Sequence, residues 1–150
     1  MDKLKIKVQL LDECKKQQQK VLDNLRNTMS EAQQSANEYG QPKDRYDSYR
    51  MQLLRRKDMY GQMLAKALGE YHALEKIEID NVNDKVGFGS VVITSEQKLF
   101  ISIGLGKINF NKDIFYAISV NVPLCKVLSG KMKNDVFEFN GKKITILDIF

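Results

Sequence analysis

The chain has 150 residues, 43% of them hydrophobic, with 24 Lys and Arg against 19 Asp and Glu, a net charge of +5. That length suits one ordinary domain or two small ones. No run of about 18 apolar residues marks a membrane span, and the charged start MDKLKIKVQLLDE is no secretory signal, so a cytoplasmic protein with no membrane partner is expected. Cys14 and Cys125 match no metal or redox spacing and are expected to be two reduced thiols.

Residues 1–77 carry helical periodicity. In the first arm Leu4, Val8, Leu11, Leu22, Leu25, Met29, Ala32 and Ala36 fall on alternating steps of three and four, broken by Lys15 and Gln18. In the second, Tyr46, Tyr49, Leu53, Tyr60, Met63, Ala67, Leu74 and Ile77 do the same, broken by Arg56 and Glu70. Such narrow stripes make coiled-coil seams. Between the arms lies EYGQPKD, where Gly40 suits a helix end, Pro42 stops a helix and Asp44 suits an N-cap. An antiparallel hairpin over 1–77 follows, with its tip at 39–47. Each arm of about 34 residues reaches roughly 50 Å, so the tip is expected to project.

The tip is chemically mixed. Asp44 and Asp47 stand three apart among Lys43, Arg45 and Arg50, and all five arginines lie in the first half of the chain. The bland reading is an N-cap at Asp44, worth about 1 kcal/mol, and a first-turn carboxylate at Asp47. The sharper reading is a pair of oxygen ligands for a divalent cation, too few for a tight site unless other groups complete it. Lys43, Arg45 and Arg50 are candidate contacts to nucleic-acid phosphate. No HExxH, GxxxxGK[ST] or GxSxG is present, and His72 has no sequence partner, so an independent enzyme is not expected.

Residues 78–150 switch to short strands: GSVVIT (89–94), KLFISIG (98–104), FYAISV (115–120), DVFEF (135–139) and KKITILDI (142–149). Asn140-Gly141 predicts a hairpin turn. PLCKVLSGK (123–131) predicts a short helix opening on Pro123 and closing on Gly130. The class is α+β: a helical hairpin, a link over 77–88, then a small antiparallel sheet with one helix.

ISVNVPLCKVLSGKMKNDVFEF (118–139) resembles the C-terminal domain of the Gre-type bacterial transcription elongation factors. Ser119-Val120-Asn121, Pro123, Leu128, Gly130-Lys131 and Asp135 match the family's pattern, as does Gly89-Ser90-Val91. Val122 stands where the family usually has Ser, and Asn134 where it has Gly. The order of a helical hairpin and then an FKBP-like domain is also the family's. The resemblance implies a partner, RNA polymerase, with the globular domain docked at the rim of its secondary channel and the hairpin inside. It implies that tip carboxylates help hold a Mg²⁺ shared with the polymerase, the factor having no cofactor of its own, and so promote cleavage of the backtracked RNA 3′ end. The family's tip GDxxEN aligns with KDRYDS when Asp44 and Asp47 take the acidic positions; an ungapped count from Gly89 puts Gln41 and Asp44 there instead. By the same resemblance Asn121, Val122 and Pro123 are the docking residues, and a monomer is expected. From the residues alone, Asn121 and Pro123 serve equally as the cap and first residue of the short helix. A non-cleaving channel regulator and a coiled-coil adaptor or chaperone-like protein are the competing expectations.

Overall fold

The computed structural model describes residues 2–39 and 48–150. Helix α1 runs Lys3–Tyr39 and α2 runs Ser48–Glu75. Six strands and one short helix follow: β1 Val91–Thr94, β2 Lys98–Ser102, β3 Gly106–Phe110, β4 Asp113–Ser119, α3 Pro123–Leu128, β5 Val136–Phe139 and β6 Lys142–Ile149. Among the described residues no helix is long and apolar enough to cross a membrane. The chain divides into two compact units, Met1–Gln17 with His72–Phe150, and Gln18–Tyr71.

In the first unit the strand order is β3-β4-β2-β1-β6-β5. The sheet is mixed, whereas an antiparallel one is expected from the sequence. β2 pairs with β4 in parallel, Phe100 facing Ala117, and the other neighbours pair antiparallel. The cause is β3, which the strand pattern does not predict. It turns back after β2, reverses at Asn111 (φ 54) and lies outside β4 at the sheet edge. Only Ile108 of β3 is buried, so this edge strand has almost no alternation to read. The β5–β6 turn is as expected, with Asn140 at φ 52 and Gly141 at φ 79, both left-handed.

The sheet has an apolar cluster on each face. One side gathers Leu10, Leu11 and Cys14 of α1 with Leu74, Ile77, Phe100, Ile108 and Phe115. The other packs Cys125 and Leu128 of α3 on Val92, Leu99, Ile101, Phe137 and Ile146. Burial on both faces explains why β1 and β2 read as continuous apolar runs instead of alternating ones. Phe150 extends the β1–β6 pairing, since Val91 and Phe150 exchange both backbone hydrogen bonds at 2.7 and 2.9 Å. Asp2 caps α1, its Oδ1 accepting from the N–H groups of Leu4 and Lys5.

In the second unit the two helical segments run antiparallel. Gln18 Nε2 donates to the carbonyl oxygen of Ala67 at 2.9 Å, a β-carbon at Gly61 would lie 3.6 Å from Met29 Sδ, and the rings of Tyr39 and Tyr49 meet edge to face at 4.9 Å. Partner numbers fall on one side as they rise on the other, which only an antiparallel pairing gives. The seam is built from small and medium residues, Leu22, Ala32, Ala36, Leu53 and Ala67. Two details differ from the sequence pattern. Gln18, read as a break in the stripe, is a buried member of the seam, while Tyr49 and Met63, expected inside, are about half exposed.

Candidate docking site

The tip residues Lys43, Asp44, Arg45 and Asp47 lie outside the described residues. Arg50 lies in the first turn of α2 and is half-buried. Among the described residues no group of three or more His, Cys, Asp or Glu side chains is placed to hold a metal ion. The candidate site that can be built from geometry is therefore the other one, around Asn121, Val122 and Pro123.

β4 ends at Ser119, and the chain turns on that residue. The Asn121 N–H donates to Ser119 Oγ at 3.2 Å and the Val122 N–H to the Ser119 carbonyl at 3.3 Å. Helix α3 then starts at Pro123, whose missing N–H costs nothing in a first turn. The cap position belongs to Val122 (φ −72, ψ 150), with no side-chain hydrogen bond. Asn121 is thus not the cap. Its side chain is exposed and makes no hydrogen bond among the described residues.

A notch of about 350 Å³ opens between Val120, the residue just before these three, and Cys125 and Lys126, which follow them in α3; Phe88, Val86 and Ile101 also line it, and Asn121, Val122 and Pro123 themselves do not. Phe88 and Val120 are each 43% exposed. Two devices hold Phe88 out. Ser90, fully buried, donates its hydroxyl to the Gly87 carbonyl at 2.7 Å and accepts the Gly87 N–H at 3.1 Å, closing the turn. Gly89 adopts φ 88, which strains any side chain, and a β-carbon there would come within 3.2 Å of Ile77 Cγ2 and press it aside. These are the physical reasons for the Gly-Ser pair at 89–90. The segment is also tied to the end of α3: Val86 N–H donates to the Lys131 carbonyl and Gly130 N–H to the Val86 carbonyl. Burial pushes the Cys125 thiol up to about 11, so it lines the notch as a neutral, apolar group.

The arrangement presents two aliphatic or aromatic side chains, one lysine and an unbonded carboxamide on a rigid scaffold. An apolar centre with a sparse polar rim is a composition that suits protein contact. Asn121, Val122 and Pro123 lie in the segment between Val120 and Cys125, two residues that line the notch, but do not line it themselves. Val120 is read from the sequence only as part of the 115–120 strand and the 119–121 match, and Phe88 not as a site residue; a phenylalanine between two glycines in a link segment is the available signal.

No family model matches the chain, and no curated protein matches it. Among solved structures the chain is similar to the GreA factor homolog 1 protein of Thermus thermophilus, with 20% sequence identity, 91% of this chain and 94% of that chain covered, and a TM-score of 0.35.

Proposed function

We propose that this protein is a Gre-like transcription factor that binds RNA polymerase at its secondary channel, docking through Asn121, Val122, Pro123 and the notch beside them. The reading rests on the sequence resemblance over 118–139 and 89–91. The observation that carries it is Asn121: it is exposed, makes no side-chain hydrogen bond among the described residues, is relieved of the capping role, and directly follows Val120, an exposed apolar residue of the notch. An apolar side chain of the polymerase would fill the notch, and the Asn121 amide would supply the directional contact.

In the same reading the tip acts on the polymerase active site and the factor catalyses nothing alone. Asp44 and Asp47 are hard oxygen ligands, the donor type that Mg²⁺ takes, and as a pair they need the polymerase to complete the shell. When bound, the metal would supply Lewis acidity to hydrolysis of the backtracked RNA. Lys43, Arg45 and Arg50 would face the RNA 3′ end. The decisive assay is transcript cleavage in a stalled, backtracked complex of the cognate polymerase, with binding measured in parallel. Stimulation that vanishes in Asp44→Asn with Asp47→Asn, binding intact, is the expected result. No polymerase binding at all would sink the reading.

A second reading is favoured by the two cations, Lys43 and Arg45, that flank Asp44. They oppose capture of a divalent cation by repulsion. A regulator that occupies the channel without promoting cleavage would bind polymerase equally well and leave backtracked RNA intact in the same assay.

A further inference from the structure

A cavity of about 680 Å³ lies on the opposite face of the sheet from α3, between the first turns of α1 and the strands. Its floor is aromatic. Phe110 and Phe115 meet edge to face at 6.0 Å, and Phe150 continues the surface. Its rim is made of two ion pairs, Lys3 Nζ to Asp148 Oδ2 at 2.9 Å and Lys98 Nζ to Asp113 Oδ1 at 2.9 Å. Each lysine also lies over a floor ring, Lys3 at 5.9 Å from the Phe150 centroid and Lys98 at 5.7 Å from that of Phe115. All four rim side chains are between a quarter and a half exposed.

The charges select the ligand class. Three lysines (3, 5 and 98) and three aspartates (2, 113 and 148) line the cavity, so its formal charge is zero. A polyanion such as a nucleotide gains no net attraction, and a divalent cation finds each of two carboxylates already engaged by a lysine. What matches is a molecule carrying both charges around an apolar body. Exposed ion pairs contribute little to stability, so exchanging one for equivalent contacts to a ligand costs little. The surplus comes from covering the phenylalanine floor.

We propose that this cavity binds a short zwitterionic peptide of about tripeptide size, its large apolar side chain on Phe110, Phe115 and Phe150, its carboxylate on Lys3 or Lys98, and its ammonium on Asp113 or Asp148. The ligand site is independent of polymerase docking, since it shares no residue with the notch.

The test is titration of the full chain with Gly-Phe-Gly bearing free termini, followed by calorimetry and by amide NMR shifts. Binding is expected, with shifts in the first turns of α1, around 110–115 and at 148–150. Acetylating the amine or amidating the carboxylate should weaken it about tenfold each, the scale of one charged contact. Gly-Gly-Gly should not bind. Of Lys3→Met and Lys98→Met, each removing one charge while keeping the stem over its ring, the one whose lysine holds the carboxylate should weaken binding about tenfold with the free protein still folded, and full binding by both variants overturns the proposal. The proposal is overturned by absence of shifts at millimolar Gly-Phe-Gly in the folded protein, by equal binding of the doubly blocked peptide, or by ATP binding more tightly than the tripeptide.

Discussion

Lys7 is buried to 1% exposure, and its Nζ donates a 3.0 Å hydrogen bond to the backbone carbonyl of Asn81. A lysine on the first turns of α1 thus ties down the segment between α2 and the sheet. Burial lowers its pKa below the ordinary lysine value, and the nearby Glu78 pulls it partly back. A group whose folded pKa is depressed binds fewer protons when folded than when unfolded. Stability therefore rises with pH between the folded value and about 10.4. Lys7→Met keeps the stem and removes the charge. It is expected to equal or exceed the wild type in urea unfolding at neutral pH, with an advantage that shrinks as pH approaches about 10. A variant clearly weaker at neutral pH would show that the ammonium's bond outweighs its desolvation.

Gln18 is a polar residue buried in the hairpin seam. Its amide is buried against α2 and, among the described residues, donates to the Ala67 carbonyl, which is already in a helix interior. A single polar seam residue fixes alignment at a cost in stability. Gln18→Leu should raise the melting temperature, and spin-label distances across the seam should broaden as neighbouring registers become populated. A sharp, unchanged distance distribution would assign the register to the alanines instead.

Gly89 and Gly130 offer a matched pair. Both have positive φ, 88 and 80, but only at Gly89 would a β-carbon meet another side chain, Ile77 Cγ2 at 3.2 Å. Gly130→Ala should cost about 1–2 kcal/mol from backbone strain alone. Gly89→Ala should cost more, because Ile77 belongs to the cluster under the sheet and has little room to move. Denaturant midpoints of the two variants give the difference directly, and equal losses would mean that Ile77 yields freely.

The elements a sequence reveals here are those whose burial repeats. The two helical arms, the continuous runs of β1 and β2, and the Asn140-Gly141 turn all carry a period or a turn chemistry. β3 does not, because Ile108 alone faces inward. The start of α1 misleads for a different reason. Its apolar stripe is Leu4, Val8 and Leu11, but the buried face is Lys7, Leu10, Leu11 and Cys14. Against a sheet a helix buries a broader face than a coiled-coil seam, and a lysine inside it looks like a solvated position. Phe88 was hidden likewise, because its exposure depends on the Gly87–Ser90 turn and not on any periodicity.

That turn makes the proposed docking surface separable from the fold. Phe88 is nearly half exposed, so Phe88→Ala removes few core contacts and should cost about 1 kcal/mol or less of stability. As an aromatic at the centre of an interface it should cost far more in binding, about 2 kcal/mol or a thirtyfold weaker polymerase affinity. Asn121→Arg adds bulk and charge beside the notch and disturbs no hydrogen bond of the folded chain made through its side chain. It should abolish binding with an unchanged melting temperature. Fluorescence anisotropy against the cognate polymerase measures both variants. If each is folded and binds like the wild type, the polymerase contact lies elsewhere on the molecule, and the apolar notch needs another partner.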